Sequence, residues 1–251
     1  MAQFMKTAHF ALAVYMRGNH DAKQLAIILP GRLDTKDYPH MQRLVDYLAI
    51  QGYLALSFDP PCTWESPGDI KDYTMTNYLT AINDIIEHFG NRPTVLIGHS
   101  RGGSMAMLAG TRNNCVTHII AIMSHATPSK PREKTISLGF ERSLRDIPSG
   151  GTRAFELPLS FFEDSAQYDM REALSHCNLP KLFVLGTQDT VVKPEQVREA
   201  YAQSADPKEL IEINATHDYR KNPQVIDELN HIIGNFLMRT STTTSEQQAG
   251  L

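Results

Sequence analysis

The stretch Pro93-Thr94-Val95-Leu96-Ile97-Gly98-His99-Ser100-Arg101-Gly102-Gly103 sets a serine between two glycines, each two positions away. That spacing suits a nucleophile. A serine on a sharp turn between a strand and a helix projects its Oγ, and small residues on both sides leave room for the turn. An apolar, β-branched run precedes Gly98, and Gly102–Thr111 is rich in Ala, Met and Leu, so strand and helix flank the turn as required. A helix N-terminus at Ser100 also favours developing negative charge. The bland alternative is a tight turn whose serine merely caps the helix.

A serine hydroxyl is a poor nucleophile without a base, and the base needs a third group to fix its tautomer. Where serine occupies such an elbow, an acid and then a histidine follow in chain order, each on a loop after a strand. Leu182–Leu185 ends in Gly186-Thr187-Gln188-Asp189, and Leu210–Ile213 ends in Asn214-Ala215-Thr216-His217-Asp218. Asp189 is the expected acid and His217 the expected base. His125, after the run His118–Met123, is the rival base; His99 diverges from its neighbour Ser100 and is expected to be packed. His9 and His20 precede the sheet proper, His40, His88 and His231 fall in helical stretches, His118 opens a strand, and His176 neighbours a cysteine without nucleophile context. Asp218 adjoins the base too closely to orient it, while Asp34 and Asp59 precede Ser100 and suit turns. An oxyanion needs two preorganised donors. The Arg101 N–H supplies one; the Arg32 N–H supplies the other, in the loop Leu29-Pro30-Gly31-Arg32-Leu33-Asp34, where Gly31 permits close approach. Pro30-Gly31 can otherwise be read as a plain turn.

These residues must be positioned by alternating elements. Ala11–Tyr15 and Leu25–Leu29 read as strands of an opening hairpin around Gly18-Asn19-His20-Asp21. Met41, Leu44, Val45 and Leu48 share a helical face stopped by Gly52; Tyr78, Ile82, Ile85, Ile86 and Phe89 form another, stopped by Gly90. Leu54–Phe58, Thr94–Ile97, His118–Met123, Leu182–Leu185 and Leu210–Ile213 read as strands, Glu195–Ala202 as a helix, and a last helix begins near Pro223. Such alternation implies an α/β fold, a mostly parallel sheet with helices on both faces. From Thr127 to about Arg171 no clear strand is visible, and this stretch is expected to be a lid. The expected division is a core of residues 1–126 and 172–239, a lid insertion of 127–171, and a disordered Ser/Thr/Gln-rich tail of 240–251.

Composition narrows the partners. The formal charge of −4 on 251 residues offers no basic excess for nucleic acid. Cys62, Cys115 and Cys177 form no CxxC pair, so neither a disulfide framework nor a thiolate metal site is expected. Met1 to Met16 carry Lys6, His9 and no sustained apolar stretch, and no run is long enough to span a membrane, so a cytoplasmic location is expected. No GxGxxG, Walker loop or HExxH calls for a cofactor or metal. The lid carries Lys130, Arg132, Lys134, Arg142, Arg145 and Arg153 against Glu133, Glu141 and Asp146. With Arg32 and Arg101 nearby, this reads either as a preference for anionic substrates or as a solvated basic face.

In these motifs the chain resembles the bacterial α/β-hydrolases that include serine aminopeptidase-like lysophospholipases and cinnamoyl/feruloyl esterases. Pro30-Gly31-Arg32 stands at that family's His-Gly-Phe loop, Gly98 to Gly103 at its Gly-His-Ser-x-Gly-Gly elbow, and Gly186-Thr187-Gln188-Asp189-Thr190-Val191-Val192 at its acid loop. Phe58-Asp59-Pro60-Pro61-Cys62-Thr63-Trp64-Glu65-Ser66 stands at its Phe-Asp-x-Arg-Gly-x-Gly-Glu-Ser segment. Pro30, Pro61, Cys62 and Trp64 depart from the pattern, which alters the acyl pocket rather than the three reacting groups. The resemblance implies an eight-stranded sheet and cofactor-free cleavage of a small-molecule carboxylic ester or related acyl bond through an acyl-enzyme, as in a carboxylesterase. A peptidase or thioesterase with the same three residues, and a non-catalytic binding protein on the same scaffold, are the alternatives.

Overall fold

The computed structural model describes residues 3–249 of the chain. Eight strands form one sheet in the order β1 (Gln3–Lys6), β2 (Ala11–Arg17), β4 (Leu54–Phe58), β3 (Leu25–Leu29), β5 (Thr94–His99), β6 (Val116–Ile122), β9 (Lys181–Gly186), β10 (Lys208–Ile213). Pairing is parallel from β4 to β10, and β2 is antiparallel to both of its neighbours. This is the mostly parallel, eight-stranded α/β sheet expected above.

Strand alternation divides the core into two layers. Leu25, Ile27 and Leu29 join the cluster containing Tyr78, Ile82 and Ile85 of α2 (Met75–His88) and Met105 and Leu108 of α3 (Arg101–Gly110). Val197 and Ala200 of α7 (Pro194–Gln203) lie in the same layer. Ala26 and Ile28, one residue out of phase, join Leu44 and Leu48 of α1 (Pro39–Ile50) and Leu229, Ile233 and Phe236 of α8 (Pro223–Ala249). Central strands covered on both faces read as continuous apolar runs, which is why Leu25–Leu29 is buried throughout. Each fully buried leucine or isoleucine contributes about 1.5–3 kcal/mol. Gly52 and Gly90 take φ of 93° and 76°, a left-handed backbone that stops α1 and α2.

Three expectations need correction. The strands on either side of Gly18 do not form a hairpin: β4 lies between β2 and β3, while β2 pairs instead with β1, a short strand with only Met5 buried. The segment 127–171 does contain strands, β7 (Phe140–Asp146) and β8 (Thr152–Pro158), paired antiparallel between α4 (Glu133–Leu138) and α5 (Leu159–Ser165). Charged residues interrupt both strands, so no apolar run betrays them, although Phe155 and Leu157 alternate as buried residues and Gly150-Gly151 turn with φ of 109° and 84°. The expected tail is helical from Thr240 to Ala249; Gly250 and Leu251 lie outside the described residues. A packed helix extends cheaply once nucleated, and no glycine or proline stands between Thr240 and Ala249. Among the described residues no helix is long and apolar enough to cross a membrane.

Candidate active site

The turn between β5 and α3 leaves no space for a side chain two residues before or after Ser100. A Cβ at Gly98 would stand 2.0 Å from the Gly102 carbonyl, and one at Gly102 would stand 1.9 Å from the Leu29 carbonyl oxygen. The chain turns through Ser100 itself, at φ 53° and ψ −121°, with its N–H bound to the Ile122 oxygen at 2.9 Å. That left-handed backbone is strained for a residue bearing a Cβ, and strain of this kind is concentrated at functional sites. The Ser100 side chain makes no capping hydrogen bond, so its hydroxyl is available for other work.

Two loops at the same edge of the sheet meet that hydroxyl. His217, after β10, sets Nε2 3.0 Å from Ser100 Oγ, and its Nδ1 lies 2.7 Å from Asp189 Oδ2. Asp189, after β9, is nearly inaccessible, and its Oδ1 accepts from the Val191 and Val192 amides at 2.8 and 3.0 Å. Those two bonds immobilise the carboxylate and leave Oδ2 for the imidazole. Ser100, Asp189 and His217, distant in sequence, are thus brought together. His125 does face the cavity, but its Nδ1 lies 2.9 Å from the Thr127 carbonyl oxygen. Asp218 turns to Arg220 and Lys221 instead of the imidazole.

Residues 26–144 match a family profile described as the alpha/beta hydrolase fold. The chain has the α/β-hydrolase fold. Est1E from Butyrivibrio proteoclasticus, solved with ferulic acid, superposes with a TM-score of 0.77 at 19% identity over 95% of this chain and 98% of its own. Mouse alpha/beta hydrolase domain-containing protein 10 gives 0.77 at 17% identity over 96% and 99% of the two chains. A thioesterase domain from the curacin biosynthetic pathway gives 0.71 at 16% over 94% and 99%. Among curated proteins none matches the sequence itself.

Within this fold the Arg32 loop is held by several other segments. Its carbonyls accept from Arg145 of β7 (2.6 Å to the Arg32 oxygen) and from Trp64 Nε1 (3.0 Å to the Leu33 oxygen). Buried Asp59 accepts from Thr35 Oγ1 at 2.7 Å, the Lys36 amide at 3.0 Å and the Glu65 amide at 3.1 Å, fastening the loop to the segment after β4. Trp64, one of the family departures, therefore braces the loop main chain. Among the described residues neither the Arg32 nor the Arg101 amide donates a hydrogen bond.

A buried group behind His217 was not legible as a unit. Asp34, His40 and His99 bring ligand-type atoms within 4.8 Å of one another, and the His99 and His217 ring centroids lie 4.7 Å apart. Among the described residues it is the one His/Cys/Asp/Glu group of three or more with metal-ligand spacing. A signal existed for His40, which continues the buried stripe of Met41, Leu44, Val45 and Leu48 on α1. Burial pushes His40 down to about 3 and lowers His99 as well, so at neutral pH His217 has uncharged rings behind it. Burial alone would raise Asp34, but the contact with His99 and the charge of Arg145 outweigh it and hold the carboxyl well below the usual range.

His40, and His118, which burial pushes down to about 4, stay neutral in the fold while an unfolded chain protonates them below about 6.5. The unfolded state then binds more protons, so stability falls as pH drops from about 6.5 toward those folded values. Each should cost about 2 kcal/mol at pH 5 relative to pH 7. Thermal melts at the two pH values check this; equal melting temperatures would contradict it.

Ser100 and His217 open onto a cavity of about 550 Å³, within the range of small-molecule sites. Phe162, Val191 and Val192 supply its apolar wall, and Ser129, Lys130, Arg132, Glu141 and Arg145 come from the segment expected to be a lid.

Proposed function

We propose that this protein is a serine hydrolase that cleaves a carboxylic ester, or a related acyl bond, of a small molecule through an acyl-enzyme. The single observation that carries this reading is the unbroken relay from Asp189 Oδ2 to His217 Nδ1 (2.7 Å) and from His217 Nε2 to Ser100 Oγ (3.0 Å). With Nδ1–H donated to Asp189, Nε2 is the imidazole lone pair that can take the serine proton. Ser100 Oγ bonds to the acyl carbon as its proton passes to His217, and the carbonyl oxygen becomes an oxyanion facing the Arg32 and Arg101 amides. Collapse expels the alcohol, which leaves with the proton from His217. Water then repeats the sequence on the acyl-enzyme, releasing the acid and free Ser100. Residues 127–171 act as the lid and supply selectivity. Three free cysteines accord with a reducing, cytoplasmic location.

Est1E binds ferulic acid and the curacin-pathway domain is a thioesterase, so both oxygen and sulfur esters are reasonable substrates here. The test is a matched set of ester, thioester and anilide sharing one short acyl group. The ester and thioester should turn over, with the anilide at least ~10²-fold slower. No turnover of any member of an acyl-length series would overturn the reading.

A further inference from the structure

The cavity is unevenly charged. Arg32, Arg101, Lys130, Arg132, Arg145 and Arg220 line it, against Asp34, Glu141 and Asp218. Two of those cations are already matched: Arg32 pairs with Glu141 at 3.0 Å, and Arg220 pairs with Asp146 at 2.8 Å and with Asp218. Among the described residues Arg101, Lys130, Arg132 and Arg145 form no ion pair.

Arg101 is the telling member, because it directly follows the nucleophile. Its guanidinium lies over the Phe161 ring at 5.1 Å and gives one N–H to Ser165 Oγ at 2.8 Å, a neutral partner. Asp164 is the carboxylate whose charge acts on it, yet that carboxylate is bound to Thr76 and the Met75 amide. Arg145 gives Nη2 to the Arg32 carbonyl at 2.6 Å, while its buried Nε–H has no partner. Arg32 and Arg145 also repel one another through space, as do Arg32 and Arg101. Burial pushes Arg101 down to about 10, with the charge of Arg32 adding to the fall and Tyr73 and Asp164 opposing it. Gathering guanidinium groups in a recess where cations outnumber carboxylates costs stability, and an anion entering that recess recovers it through charge-assisted hydrogen bonds.

We propose that the substrate carries an oxyanion group, a carboxylate or a phosphate, in the part that lies against Arg101 and Arg145. Calling it a substrate rests on the hydrolase reading above; the anion site itself does not. Asp34, which faces Arg145 and His99, marks the inner limit of the site, and Lys130 and Arg132 flank its exposed mouth.

The test is calorimetric binding to the Ser100→Ala protein, where no turnover interferes, with glutarate, its neutral isostere glutaramide, and inorganic phosphate. Glutarate or phosphate should bind at least tenfold more tightly than glutaramide, and whichever anion binds better identifies the group. The preference should fall about tenfold in Arg101→Met and in Arg145→Gln, and should weaken in the unaltered pocket as salt rises. Glutarate and phosphate both binding no more tightly than glutaramide would overturn the proposal, as would a preference indifferent to salt and to both substitutions. Failure of the hydrolase reading is seen separately, as absence of ester turnover by the unmutated protein.

Discussion

Replacing Ser100 by alanine is expected to lower ester turnover by roughly 10⁴-fold or more, with little change in stability. The kinetic loss follows from removing the attacking atom while retaining the oxyanion donors, which alone give only weak catalysis. The small effect on folding follows from the local structure. The serine side chain does not cap α3, and its hydroxyl contact to His217 at 3.0 Å is a single part-buried hydrogen bond. Losing it should cost about 1 kcal/mol. Alanine inherits the same left-handed backbone at φ 53°, so the turn is no worse than before. Steady-state ester hydrolysis and a thermal melt on the same preparation check both halves. Residual activity near the unmutated rate would mean that another residue attacks.

Asp189→Asn should lower kcat by about 10⁴-fold with the loop intact. Asparagine keeps an oxygen for the Val191 and Val192 amides, which now bind Oδ1 at 2.8 and 3.0 Å. What changes is the group facing His217. An amide N–H₂ set at the position of Oδ2 donates to Nδ1, so the ring carries its proton on Nε2 and presents N–H, not a lone pair, to Ser100. The serine then has no base. A loss of less than tenfold, with the loop still folded by thermal melt, would show that Asp189 does not set the tautomer.

Much of this could be read from residue order because the constraints are steric and periodic. The glycines at 98 and 102 are demanded by carbonyls 2.0 and 1.9 Å from any Cβ, so the elbow is written in the chain. The buried strands β3, β5, β6 and β9 each carry a continuous apolar run, and Gly52 and Gly90 mark helix ends through positive φ. Asp189 and His217 follow from strand-ending loops in the expected order. What escaped were features fixed by partners remote in sequence. Nothing local in Gln3–Lys6 distinguishes an edge strand, and β4 entering between β2 and β3 is a crossover that neighbouring residues do not encode. The β7–β8 ribbon owes its pairing to a partner strand rather than to apolar content. Asp34, His40 and His99 become a group only when α1 packs beside the elbow, and Trp64 becomes a brace only when the Arg32 loop reaches it.

The most direct measurement is intact mass and peptide mapping after exposure to a fluorophosphonate. Ser100 Oγ attacks phosphorus, the P–F bond breaks, fluoride leaves and the serine proton passes to His217. One phosphonyl group per chain, mapped to Ser100 and lost in Ser100→Ala, is the expected outcome. A folded protein that stays unlabelled, or carries the adduct on a different residue, would contradict the account.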